Sequence, residues 1–197
     1  MEEQQQQSVD PIVRRRQSAA FLYDWVSAMI FALMVPVLLF TLFIRIVTVE
    51  GSSMDDTLQD DDHLVLLTAV ETFEYGDIVV VDRYTEEPLI KRVIAVAGDT
   101  VEITGDGQVY LNGERLVEPY AKGATYPNAM GGQLRVPEGH VFVLGDNRPI
   151  SKDSRSADVG LVPVEDVVGK AVCRLWPLSA IGSIYDNLPE EGGSYDG

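Results

Sequence analysis

Residues 25–44 carry no charge: "WVSAMI", "FALMVPVLLF" and "TLFI" follow one another without a break. A run of about 20 apolar residues makes about 30 Å of helix, the thickness of a bilayer's hydrocarbon core. Such a helix satisfies its own backbone polar groups, and Pro36 near its middle is tolerated in lipid. A cleaved leader would have a shorter apolar core, roughly 7–15 residues, followed by a small-x-small cut site. Here "FIRIVTVEG" follows instead, so a retained anchor is expected. Arg14, Arg15 and Arg16 precede the run, and only Arg45 follows it closely. The positive-inside rule then predicts a single-pass cell-membrane protein with a cytoplasmic N-terminus and the remainder outside.

The rest of the chain divides by composition. Residues 1–20 are Gln-rich and polar and are expected to be a disordered tail, residues 21–45 the anchor, and residues 187–197 a loose acidic tail. Residues 46–186 show no long helical periodicity. They hold short β-rich runs such as "HLVLL", "DIVVVD", "PLIKRVIAV", "TVEIT", "HVFVLGD" and "VVGKAVCRLW", separated by turn compositions. Asn112-Gly113 lies between two such runs and predicts a hairpin. The expected domain is mainly β and antiparallel. With 197 residues and a net charge of −16, the chain has no basic patch for phosphate, and no nucleic-acid partner is expected. The lone Cys173 allows no intramolecular disulfide and reads as a buried strand residue.

Few groups stand out as chemistry. His63 and His140 sit at strand or turn positions with no distinctive neighbours, and with one Cys they make no structural metal site. The acids Asp60, Asp61 and Asp62 read as solvated charge, so neither metal nor cofactor is expected. "PLIKRVIAVAGD" is more telling. On a strand, Lys91 and Arg92 face opposite sides that are otherwise apolar, so one cation must point into a hydrophobic layer. A head group snorkelling at the strand end is one outcome. The other is a buried amine, made basic near neutral pH by about 3 kcal/mol of desolvation; arginine cannot play that part. A polar loop, "GDNRPISKDSRSADVG", carries Asp146, Arg148, Ser151, Asp153 and Arg155, with Asp146–Arg148 and Asp153–Arg155 as candidate pairs. Finally, "VEGSSMDDTL" sets the hydroxyls of Ser52 and Ser53 just beyond the apolar run.

Together these stretches resemble the bacterial type I signal peptidases, membrane-anchored Ser/Lys endopeptidases. The resemblance rests on Gly51-x-Ser53-Met54-x-x-Thr57-Leu58, on "GDIVV" at 76–80, on the lysine box at 90–99, and on Gly145-Asp146-Asn147-Arg148 with Ser151, Asp153-Ser154-Arg155 and Gly160. "GKAVCRLWPLSAIG" also looks like the family's closing strand. Asp56 stands where the family usually has proline, Ala95 and Ala97 replace a common glycine and proline, and "SKDSR" follows "RPI" where a more polar link is usual. A single anchor and a short domain are similar to the compact form of the family.

The resemblance implies a fold of coiled antiparallel sheets behind one transmembrane helix. It implies Ser53 as nucleophile and Lys91 as general base, with Ser151 orienting the lysine. Gly51 occupies the position from which some relatives add an oxyanion hydroxyl, so only backbone can serve there. Asp146, Arg148, Asp153 and Arg155 are implied as scaffold. The implied substrates are exported preproteins with small residues before the cut, docked along residues 47–52 and 88–90. Membrane lipid is a further implied partner; Trp176 reads either as a residue seated at the lipid interface or as a core residue. The secretion machinery stays open as a partner. Two rivals stand beside this reading: a self-cleaving repressor-like Ser/Lys protease, which the apolar span disfavours, and a non-catalytic membrane-tethered β domain that assembles surface proteins, as a pilus-assembly relative would.

Overall fold

The computed structural model describes residues 11–82, 88–186 and 188. Helix α1 runs Pro11–Phe43. Among the described residues the helix reaches back to Pro11, ten residues ahead of residue 21. Its segment Tyr23–Phe43 has a mean hydropathy of 2.5 and is long and apolar enough to cross a membrane. At the other end the helix stops at Phe43, because Ile44 and Arg45 already pair with Leu67 and Leu66 as strand β1. Expectations for residues 1–10 and 189–197 fall outside the described residues.

The chain forms two compact units that divide after Leu42. Among the described residues the second holds eleven strands. Seven form one antiparallel sheet in the order β1 (Ile44–Thr48), β2 (His63–Leu67), β11 (Val167–Trp176), β3 (Ile78–Val81), β4 (Leu89–Ala95), β9 (His140–Leu144) and β10 (Val162–Pro163). The other four, β7 (Glu114–Arg115), β6 (Val109–Leu111), β5 (Thr100–Ile103) and β8 (Gln133–Arg135), form a smaller sheet. Asn112 and Gly113 join β6 to β7 with φ of 54° and 88°, the left-handed pair that a tight hairpin needs. The mainly β, coiled antiparallel expectation is met.

The large sheet is covered on both faces at β3 and β4, so these strands lack the polar side of a half-exposed sheet. Ile78, Val80 and Ile90 join one core with Leu64, Leu66 and Ala171; Val79, Val81 and Val93 join another with Val141 and Val143. Ile94 and Ala95 pass into a third core shared with Val101 and Ile103 of the small sheet. Double coverage explains why both cations of β4 are buried, Lys91 at 2% and Arg92 at 1% exposure, where the sequence required only one.

Strand β11 curls the sheet. Its register slips against β3 and β2 at three places, and such bulges add local twist. Gly169 sits at one slip, and a Cβ there would lie 2.5 Å from the Leu67 carbonyl oxygen on β2. Gly169→Ala is therefore expected to destabilise the protein by about 2–4 kcal/mol. Gly105→Ala, where a Cβ meets nothing within 4 Å, is expected to stay within about 0.5 kcal/mol. Denaturant unfolding in detergent measures both.

Candidate active site

The Ser53 segment enters the domain through its apolar neighbours. Met54 and Leu58 are four residues apart and close one helical turn, with Leu58 N–H donating to Met54 O at 2.8 Å. That spacing puts both side chains on one side, and both are buried in the core shared by β2, β3 and β4. Burying each is worth about 2 kcal/mol. Ser53, just before this turn, stays half-exposed.

Lys91 on β4 comes to it from 38 residues away. Its Nζ lies 2.7 Å from Ser53 Oγ and donates to Ile90 O at 2.8 Å. Burial drives the amine's pKa down to about 8, while the charges of Asp153 and Asp146 pull it back up. The main-chain N–H of Ser53 has no hydrogen-bond partner among the described residues.

The polar loop after β9 wraps this pair. Asn147 donates its main-chain N–H to Ser53 O at 3.0 Å and its side-chain amide to Ser52 O at 3.0 Å. Asp146, fully buried, accepts from Arg92 Nε and Nη2 at 2.9 and 2.7 Å and from the Thr57 hydroxyl at 2.6 Å. The Arg92 guanidinium also stacks 4.1 Å from the Tyr120 ring centre. Burial works against the Arg92 charge, but the Asp146 hydrogen bond and charge leave its pKa raised.

Asp153 and Arg155 pair as the sequence suggested, at 2.8 Å. Asp146 and Arg148 do not. Arg148 turns instead to Glu118, at 2.6 and 2.9 Å, and to Gly145 O at 3.0 Å. Asp146 and Arg148 diverge, and each finds a partner from another element. Arg92, Thr57, Glu118 and Asn147 went unassigned in the sequence. For Arg92 there was a signal: an arginine in an apolar strand cannot shed its proton and so demands a buried carboxylate. For Glu118 there was none.

Two expected supports sit differently. Gly51 N–H donates to Asp60 Oδ1 at 2.7 Å, so that amide is engaged, the chain turning at Gly51 with φ of 84°. Ser151 Oγ is buried without a hydrogen-bond partner among the described residues and makes no bond to Lys91. Its place is nonetheless in the site: a Cβ built at Gly145 would lie 2.2 Å from Ser151 Oγ and 2.6 Å from Ser53 O. His63 and His140 contact Thr48 and Glu138 O, with no link to Ser53 or Lys91. Cys173 is half-buried on β11, more open than expected. Asp56, at the departure from the family pattern, pairs with Lys122 at 3.1 Å on the surface, and the turn after Ser53 keeps its Leu58–Met54 bond.

Two backbone edges flank the pair. β1 hydrogen-bonds on one side only, to β2. On β4, Leu89 and Ile90 pair with β3, while pairing with β9 begins only at Arg92. Between them lies a cleft of about 290 Å³ lined by Val47, Thr48, Glu50, Val80, Pro88 and Ile90. These residues include most of the peptide-docking segments expected at 47–52 and 88–90.

The family model for signal peptidase, peptidase S26, matches residues 22–176. The chain belongs to this family. A signal peptidase I of Bacillus licheniformis is 36% identical over 172 residues, covering 81% of this chain and 91% of that one. A signal peptidase IB of Staphylococcus aureus is 33% identical over 177 residues, covering 80% and 91%. The crystal structure of a signal peptidase I from Enterococcus faecalis shares 30% identity, covers 52% of this chain and 98% of that one, and superposes with a TM-score of 0.42. The family match takes in the apolar segment as well as the β domain.

The buried amine has a thermodynamic signature. Lys91 falls from 10.5 to about 8 in the folded protein, so between those values the unfolded chain binds more protons. The penalty is full below pH 8 and is relieved as pH rises towards 10.5. Relative to Lys91→Met, the wild type is expected to gain about 3 kcal/mol of stability across that window and nothing below it. Denaturation of both proteins from pH 6 to 10.5 tests this.

Proposed function

We propose that Ser53 and Lys91 form the dyad of a membrane-anchored endopeptidase that removes signal peptides from exported preproteins through an acyl-enzyme. Signal-peptide removal is the activity of the family; the roles within this chain are the present reading. The observation that carries it is the 2.7 Å approach of Nζ to Oγ with the amine buried and its pKa lowered to about 8. A serine hydroxyl needs a positioned base, and a neutral amine at that distance is one.

Neutral Lys91 takes the Ser53 proton as Oγ attacks the scissile carbonyl. The developing oxyanion is met by the Ser53 main-chain N–H. The ammonium then protonates the leaving amine, and Lys91, neutral again, activates the water that hydrolyses the ester. Ser151 supports the lysine after its unpartnered hydroxyl rotates towards Nζ. Gly51 contributes by its turn, since its N–H is held by Asp60. Asp146, Arg148, Asp153 and Arg155 hold the walls.

The substrate adds as an extended strand between β1 and the open start of β4, its side chains alternating into the cleft beneath. Small residues before the cut let the scissile carbonyl sit within reach of Ser53. The anchor crosses the cell membrane with its N-terminus in the cytoplasm, by the arginine asymmetry around it. Trp176 is 49% exposed, which sets aside a core role and favours contact with lipid headgroups.

Processing of a preprotein in detergent tests the dyad. Ser53→Ala and Lys91→Ala are each expected to lower kcat at least about a thousandfold while the protein stays folded. The wild-type rate is expected to climb with pH through about 8, as Lys91 loses its proton, and then level off. A processing rate indifferent to either substitution, or flat across this range, rejects the dyad.

A further inference from the structure

The acids Asp60 and Asp62, expected as solvated charge, instead clasp the loop that presents Ser53. The loop leaves after β1 and returns at β2, closed by Val49 N–H to Asp62 O at 2.8 Å and Asp61 N–H to Val49 O at 3.0 Å. Asp62 is only 3% exposed. Its Oδ2 accepts from Gln59 N–H at 2.9 Å and lies 3.0 Å from Arg174 Nε. The same guanidinium donates through Nη2 to Thr57 O at 2.5 Å. Arg174 is itself fixed: its main chain exchanges hydrogen bonds with Gly182, at 3.0 and 3.2 Å.

Thr57 stands about one helical turn beyond Ser53. Its hydroxyl is held by Asp146, which Arg92 holds in turn. Its carbonyl is held by Arg174 on β11, which β3 separates from β4 in the sheet order. The turn bearing Ser53 is thus gripped at one residue by two arginine systems, one of which lies in the closing-strand run 169–182, where the sequence assigned Arg174 no role.

We propose that Arg174, together with Asp62, is a positioning residue that sets where the Ser53 hydroxyl meets Lys91. It touches no reacting atom. Its guanidinium suits the task because Nη2 donates to the Thr57 carbonyl while the buried cation stays in ion-pair contact with Asp62, without an aligned hydrogen bond from Nε; a lysine ammonium on a flexible stem does not fix that geometry. Misplacing a catalytic group by about 1 Å can cost about 100-fold in rate. The proposal rests on the reading of Ser53 as nucleophile, and the experiment separates the two.

The full-length protein in detergent is assayed on a preprotein for kcat and KM, with thermal unfolding of each variant alongside. Arg174→Ala is expected to lower kcat about 10- to 100-fold with KM within about twofold, because the cleft is untouched. Arg174→Lys keeps the charge but is expected to stay at least about fivefold below wild type, and the isosteric Asp62→Asn at least about threefold below. Full kcat in Arg174→Lys and Asp62→Asn overturns the proposal, whether or not Arg174→Ala folds. So does a loss in kcat no larger than the unfolded fraction of each variant. Ser53→Ala is the reference. If it is inactive while the Arg174 and Asp62 variants are fully active, only the positioning role falls; if Ser53→Ala still processes, the nucleophile reading falls.

Discussion

A lysine amine that is 2% exposed must either find a counter-charge or give up its proton readily, and the architecture of this domain enforces the second course at Lys91. Four cationic side chains are buried around the site: Lys91, Arg92, Arg148 and Arg155. Each arginine has its own carboxylate at 2.6–2.8 Å: Asp146, Glu118 and Asp153 respectively. Lys91 alone has no carboxylate in ion-pair contact among the described residues; it has a hydroxyl and a carbonyl. The groups that cannot titrate are neutralised in pairs. The one that can is left to desolvation, tempered at longer range by Asp153 and Asp146. Were any of those three arginines unpaired, its field would lower the lysine further and cost stability.

The serine faces an opposite demand. In the proposed mechanism its hydroxyl must meet both the lysine and an incoming peptide, so it cannot be buried, yet it must be held still. The chain reconciles these by sinking the residues after it. Met54 and Leu58 enter the core, while Thr57 between them is tied through its hydroxyl to Asp146 and through its carbonyl to Arg174. Rigidity is supplied by neighbours, and exposure is kept for the one reacting atom. Asp56, where relatives commonly have proline, lies on the solvent side of this turn, where its pair with Lys122 is worth little. The turn is held by its buried residues.

Strands were readable where apolar residues alternate or run on, as in "HLVLL" and "DIVVVD", since that pattern is local. β8 and β10 were not, having three and two residues, too few for a period to appear. The two cations of β4 were legible as an anomaly, but not the burial of both, because coverage of the second face comes from elements distant in sequence. Asp146 and Arg148 were mispaired for a similar reason: nearness along a loop says little about where side chains point. The role of Asp62 was hidden because a run of three acids looks alike whether one of them is solvated or meets an arginine 112 positions later.

The sequence by itself determined an apolar helix of membrane length, a set of β strands with their turns, and boxes that carry one serine and one lysine in a recognisable order. These are properties of short windows: hydrophobic periodicity, turn chemistry and residue type. Only the tertiary structure decided that the two groups meet at 2.7 Å, that the amine is dry enough to titrate near 8, and which acid answers which base. Distance and local dielectric are set by the packing of segments far apart in the chain, and no window of the sequence contains them.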